Sequence, residues 1–174
     1  VPRNGPPRSP LPFLLLVIAS AACGPESGVS VGGDVQEWID YGGDRGGLRY
    51  SPLADVTPAN VDRLEPVWTW HSGDVADGRS GVAATTAYEL TPILVEGTLY
   101  ACTPFNRVVA LDPETGAERW SYDPGVDLAM HYANQLICRG VATWRDPGRS
   151  HGPCHRRIFT ATNDARLIAL DAAT

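Results

Sequence analysis

The sequence predicts an all-β chain that forms the amino-terminal blades of an incomplete β-propeller, and three observations predict it. Short runs rich in β-branched and aromatic residues alternate with tight turns, the rhythm of antiparallel sheet rather than of parallel strands with their long crossovers. A motif returns: Val108-Val109-Ala110-Leu111-Asp112 reappears as Leu167-Ile168-Ala169-Leu170-Asp171, and one sheet per repeat marks propeller blades. The composition, 174 residues with 18 Gly, 15 Pro, one Met and 43% hydrophobic residues, suits a turn-rich β protein with enough apolar material for a core. With a formal net charge of -6, nothing in the chain resembles the basic face that nucleic acid binding requires. The chain has no Gly-x-Gly-x-x-Gly opening a βαβ unit, so a nicotinamide-binding domain is not supported.

The first 23 residues read as an export signal: Arg3 and Arg8, an apolar stretch from Leu11 to Ala19 broken by Pro12, then Ser20-Ala21-Ala22-Cys23. The apolar stretch falls short of the roughly 20 residues that span a membrane. Ala-Ala-Cys also resembles a lipoprotein cleavage site with a lipid-bearing Cys23, although Ser20 stands where that pattern prefers an aliphatic residue; cleavage nearby with an incidental Cys23 is the other reading. Val1, in place of Met, reads as an alternative start codon or a truncation. Residues 24–33 are small and polar, a flexible tether, and residues 34–174 carry the blades.

Trp38 to Tyr50, with Gly42, Gly43, Gly46 and Gly47, is loop chemistry. Thr57 to Leu64 predicts a short helix with Thr57 as N-cap and Pro58 at its first position, and Val67-Trp68-Thr69-Trp70 predicts a strand. Beyond Thr91 come four runs: Ile93 to Val95, Thr98 to Thr103, Arg107 to Leu111 and Glu118 to Tyr122. The first pair is joined by Glu96-Gly97 and the last by Asp112-Pro113-Glu114-Thr115-Gly116. Arg157 to Thr162 precedes the second copy of the motif as Thr98 to Thr103 precedes the first. The separation of the copies, 59 positions, exceeds the roughly 40–45 of a common propeller repeat, and Asp127 to Pro153 reads as the insertion that accounts for it. The second copy stops at Thr174, aligned with Thr115, so partners of Gly116 and Trp120 are expected beyond it. Two blades cannot close a ring, and the expectation is a chain with exposed apolar blade faces, prone to aggregation and inactive alone.

Of the four cysteines, Cys138 and Cys154 bracket a Pro/Gly-rich stretch and are the best candidates for a disulfide in an oxidising compartment. No spacing matches a zinc site or a haem attachment.

Three segments together resemble the quinoprotein dehydrogenases that use pyrroloquinoline quinone (PQQ). The first runs from Trp38-Ile39-Asp40-Tyr41-Gly42-Gly43-Asp44 through Arg49-Tyr50-Ser51-Pro52-Leu53 to Val56, Asn60-Val61, Leu64 and Trp68. The second is Glu89-Leu90-Thr91-Pro92-Ile93 leading into Leu99-Tyr100. The third is Ala110-Leu111-Asp112-Pro113-Glu114-Thr115-Gly116 to Trp120. Cys138-Arg139-Gly140 with Cys154-His155-Arg156-Arg157-Ile158 is most similar to the membrane-associated glucose, sugar and polyol dehydrogenases; the alcohol-oxidising branch carries adjacent cysteines, absent here.

The resemblance implies an eight-bladed propeller and an oxidoreductase acting on a sugar, polyol or alcohol hydroxyl. It implies ubiquinone or a cytochrome as electron acceptor, and a place in the periplasm or at the outer face of the inner membrane. It implies Arg139 as the cofactor arginine, because a planar guanidinium pairs bidentately with a carboxylate, and Glu89 as the carboxylate that hydrogen-bonds the cofactor. Thr162 is a third candidate contact, against its reading as ordinary strand filling. Without the resemblance Glu89 is a solvated loop acid and Arg139 a surface ion-pair partner. His131 reads as a solvated loop histidine, Asp44, Arg45 and Arg49 as braces of the leading arm, and Trp120 as blade packing. The catalytic Asp and the calcium ligands are implied on later blades, beyond residue 174, so no metal ligand and no catalytic base are assigned. The competing reading is a non-enzymatic propeller lipoprotein of outer-membrane assembly, which shares the repeat; the leading arm, Glu89 and Cys138-Arg139 are the features expected of the enzyme alone.

Overall fold

The structure, a computed structural model, describes residues 37–77, 79, 82 and 85–174. The signal, the tether and the lipid-anchor reading of Cys23 lie outside the described residues. Seven strands form two antiparallel sheets. The first, in order β1-β2-β3-β4, comprises β1 (Ile93–Val95), β2 (Thr98–Cys102), β3 (Val108–Leu111) and β4 (Glu118–Tyr122). The second, in order β5-β6-β7, comprises β5 (Ala142–Arg145), β6 (Arg156–Ala161) and β7 (Leu167–Asp171). These are two successive propeller blades, the second described through its first three strands.

Their equivalence runs to the register. Tyr100 faces Ala110 across β2 and β3, and Phe159 faces Ala169 across β6 and β7. The turns match too. Thr103 donates its N–H to the Arg107 carbonyl at 2.8 Å and its hydroxyl accepts the Arg107 N–H at 3.1 Å. Thr162 and Arg166 repeat both bonds at 3.0 and 3.2 Å. The blades differ between their first two strands. Glu96 and Gly97 adopt φ +47° and +66°, the left-handed pair of a tight two-residue hairpin, whereas Asp146 to His155 fills the same place between β5 and β6. Part of the extra length of the repeat therefore lies in this hairpin loop and part in the connection from Tyr122 to Ala142, and the span read as an insertion contains a strand of its own, β5.

Both faces of the first blade are covered. Val108 and Ala110 join Ile93, Val95, Tyr100 and Cys102 in a cluster that continues into Cys138, Val141, Ile158 and Ala172 of the second blade. Val109 and Leu111 point the other way with Ala101, against Trp70 and Leu90. This is why β3 is buried at every residue although its side chains alternate.

Tryptophans lock the layers. The Trp68 ring lies against Gly116, where a side-chain Cβ would come within 2.6 Å of it, and its indole N–H donates to the Pro113 carbonyl at 3.0 Å. Trp120 donates to the Ala172 carbonyl at 3.1 Å, the equivalent position of the next repeat. Gly116 is thus required twice, by this close approach and by its φ of +72°.

Two local expectations are corrected. Val67 to Trp70 is not a strand: Trp68 and Trp70 serve as packing side chains on the first blade. The predicted helix over Thr57 to Leu64 shrinks to one 3-10 turn, Val61–Arg63. Asn60 stands at its N-cap position, and the Asn60 side-chain oxygen accepts the Thr57 N–H at 2.6 Å.

Candidate functional site

Strand direction places the candidate residues. The start of β1, the end of β2 and the start of β3 share one end of the first sheet; the start of β5 and the β6–β7 turn share the corresponding end of the second. Glu89 precedes β1, Arg139 precedes β5, and Thr162 follows β6. All three therefore stand at the strand ends where the tight Thr103–Arg107 and Thr162–Arg166 turns lie.

Glu89 and Arg139, fifty positions apart in sequence, meet. Arg139 Nη2 lies 3.5 Å from Glu89 Oε2, with the side chains 70% and 53% exposed respectively. The backbone brings them together: the Thr91 N–H donates to the Arg139 carbonyl at 3.0 Å, and the Ala87 N–H to the Leu136 carbonyl at 3.1 Å. So exposed a pair contributes little to stability, about 0–1 kcal/mol. It leaves a guanidinium and a carboxylate open to a third group.

Thr162 is buried, and its hydroxyl is occupied locally by Asp164 and by the Arg166 backbone. It belongs to the turn after β6 rather than to the strand. His131 is exposed.

The disulfide expectation is corrected. Cys138 pairs with Cys102, not with Cys154, their Cα atoms 5.8 Å apart, and Cys154 is free. Cys102 ends β2 in the buried interior of the first blade, and Cys138 directly precedes Arg139, so the crosslink ties the arginine to the sheet. Cys154 is instead held in the β5–β6 loop, its N–H donating to Asp171 at 2.7 Å.

Several residues that sequence reasoning left in the background surround the pair. Tyr41 lies beneath Gly140, where a Cβ would stand 3.3 Å from its ring, and the Arg49 guanidinium sits 5.0 Å from the ring centroid. Hydrogen bonds from Arg49 and then Thr91, with the charges of Arg49 and Arg139, hold the Tyr41 phenol below the usual tyrosine pKa. Arg49 therefore braces the arm, as read, and adds a second cation to the site. Asp44 closes its own loop by accepting the Leu48 N–H at 3.1 Å.

On the other side the buried Asp74 pairs with Arg107 at 2.5 Å. That pair fixes the segment running into Ala76, which bonds Thr86, and Thr86 and Leu136 form a parallel bridge. Burial, then the Asp74 charge, raises the pKa of Tyr88 next to Glu89. The likeness of Arg157 to Thr162 and Thr98 to Thr103, each preceding a copy of the motif, is the repeat signal that runs into this end of the blades.

Residues 38–174 match the family described as glucose/ethanol/alcohol dehydrogenase, β-propeller domain, of the PQQ type. The chain is 39% identical over 140 residues to the glycerol dehydrogenase large subunit of Gluconobacter oxydans, covering 79% of this chain and 18% of that protein. It is 37% identical over 158 residues to the quinoprotein glucose dehydrogenase of Escherichia coli, covering 88% and 19%. The quinohemoprotein alcohol dehydrogenase of Comamonas testosteroni superposes with a TM-score of 0.64 at 31% identity, covering 80% of this chain and 18% of that structure. The chain thus spans about a fifth of the length of the relatives it matches.

Proposed function

Because the chain belongs to the PQQ-dependent glucose, ethanol and alcohol dehydrogenase propellers, we propose that Arg139, Glu89 and Thr162 contribute one wall of a PQQ site. The whole protein is then an exported dehydrogenase that oxidises a sugar, polyol or alcohol hydroxyl and passes electrons to ubiquinone or a cytochrome. It works in the periplasm or on the outer face of the inner membrane, with Cys23 as the point of lipid attachment. The observation that carries the reading is the meeting of Glu89 and Arg139 at 3.5 Å, both open to solvent, at the turn end of two adjacent blades.

The residues present fit this cofactor. PQQ, when bound, supplies an ortho-quinone that takes up two electrons from the hydroxyl-bearing carbon, and it carries three carboxylates. Arg139 offers a planar fork to a carboxylate or quinone oxygen and stabilises the negative charge that reduction brings there. Glu89 accepts a hydrogen bond from a protonated position of the ligand and orients it. Arg49, hydrogen-bonded to Tyr41, adds positive potential without touching the ligand itself. The threonine at position 162 closes the second-blade side of the wall, its hydroxyl shared with Asp164 and the Arg166 backbone.

The residues present do not fit a calcium ion: among the described residues no group of three or more His, Cys, Asp or Glu side chains gathers. The metal ligands and the proton-accepting Asp belong, in this reading, to segments outside this chain.

Titrating the full-length apoenzyme with PQQ, followed by both binding and activity, tests the reading. Arg139→Ala is expected to weaken PQQ binding by about 1.5–3 kcal/mol, the size of a charge-assisted hydrogen bond, and Arg139→Lys to recover part of it. Unchanged affinity and activity in Arg139→Ala would return Arg139 to the role of a surface charge and overturn the assignment.

A further inference from the structure

We infer that Asn106 is a positioning residue that holds the two blades' contributions to the cofactor wall together; the inference rests on the reading of Arg139 and Thr162 given above. Asn106 sits in the turn between β2 and β3, 1% exposed, at φ +65°. Its amide is engaged from both ends. Nδ2 donates to the Ile137 carbonyl at 3.2 Å and to the Pro104 carbonyl at 3.4 Å, and Oδ1 accepts the Asn163 N–H at 2.7 Å. Ile137 stands two residues before Arg139, and Asn163 directly follows Thr162. One buried side chain of the first blade therefore ties the run that carries the arginine to the turn that carries the threonine.

The second blade supplies an internal control. Ala165 occupies the position equivalent to Asn106, with the same left-handed backbone at φ +64° and the same turn hydrogen bonds between Thr162 and Arg166. The turn forms without an amide side chain. Asparagine at position 106 is thus explained by its two distant bonds and not by the backbone it adopts.

The neighbouring restraints show what those bonds add. Leu136 is held by backbone bonds to Thr85 and Ala87, Cys138 by its disulfide to Cys102, and Arg139 by the Thr91 N–H. Asn106 holds the remaining residue, Ile137. With all four fixed, the freedom left at Arg139 is that of its side chain, and the cost of presenting a guanidinium to a ligand falls accordingly. Among the described residues the Thr162 turn also reaches this part of the chain directly, through Asn163 Nδ2, which donates to the Gln135 carbonyl at 3.5 Å.

A double-mutant cycle in the full-length apoenzyme tests this, with PQQ dissociation constants from calorimetric titration and a thermal midpoint for every variant. Asn106→Gly keeps the left-handed backbone and removes all three side-chain bonds; Asn106→Asp keeps the acceptor for Asn163 and loses the donor to Ile137. Asn106→Gly is expected to weaken PQQ binding about tenfold. The penalty of Arg139→Ala should shrink at least about threefold in the Asn106→Gly background, because an arginine no longer held in place has less to lose. Equal Arg139→Ala penalties in both backgrounds, with a lowered thermal midpoint alone, would make Asn106 a purely structural residue and overturn the inference while leaving the wall intact. An Arg139→Ala substitution without effect on PQQ affinity in the otherwise natural protein would overturn the wall and the inference with it. Should Asn106→Gly not fold, Asn106→Asp goes through the same cycle and is judged by the same two results.

Discussion

The two blades carry nearly the same motif and bury it differently. Val108 of the first blade is 0% exposed, and its equivalent in the second, Leu167, is 75% exposed. The motif is apolar in both, the turns are hydrogen-bonded alike, and each receives a tryptophan indole on an equivalent carbonyl. What differs is the company. The first sheet has the second blade on one face and Trp70 with Leu90 on the other, whereas among the described residues the second sheet is covered on one face, by the first blade. A blade's strands are chosen by its own sequence, and its stability is conferred by the blades beside it.

The largest expected effect concerns the crosslink that joins β2 of the first blade to the run leading into the second. Replacing Cys102 and Cys138 by Ser opens a link across a sequence separation of 36. It should lower unfolding stability by about 4 kcal/mol in the chain-entropy account, read as a fall in the urea midpoint. Cys154→Ser should change that midpoint little. Equal effects would mean that the crosslink between the blades adds no stability beyond that of an unpaired cysteine.

Next comes the paired core truncation. Val108→Ala should cost about 2 kcal/mol, from lost burial and an unfilled cavity, while Leu167→Ala should stay within about 0.5 kcal/mol in this chain. In a chain extended through the following blades the second cost should rise toward the first. Urea denaturation of both lengths decides, and a Leu167→Ala cost that stays near zero in the longer chain would show that no neighbour covers it.

The smallest effect is electrostatic. Arg119, then the Thr115 N–H and hydroxyl, hold the Asp112 carboxyl at a pKa of about 2 against an ordinary 3.8. A depressed folded-state pKa stabilises the fold above the ordinary value, and that contribution is lost as pH falls through about 2. Asp171 is shifted in the same direction by the N–H groups of Ala173 and Cys154. Asp112→Asn should therefore flatten the loss of stability between about pH 4 and pH 2, measured as urea midpoint against pH. A profile parallel to that of the natural protein would show that the turn's hydrogen bonds do not depend on the charge.

Sequence alone determined the features that are local. Alternating apolar runs, the Glu96-Gly97 turn and the Asp112 to Gly116 turn specify hairpins within a few residues of themselves, and six of the seven strands were legible for that reason. The strand that was missed, β5, alternates Ala142 and Trp144 with Thr143 and Arg145, but it is largely exposed and lies inside the Pro/Gly-rich span read as an insertion. Position also misled where the partner was distant. Cys154 lies near Cys138 along the chain, but a disulfide needs Cα atoms within a few ångströms, and folding brings Cys102 there. Trp68 looks like a strand residue until Gly116 arrives beneath it. Glu89 and Arg139 were singled out through family resemblance, and their charges alone would have left them solvated. Their meeting, the role of Asn106 between the turns and the burial of β3 on both faces were decided by the tertiary structure, because each depends on which remote segment is brought alongside, and neither propensity nor periodicity encodes that choice.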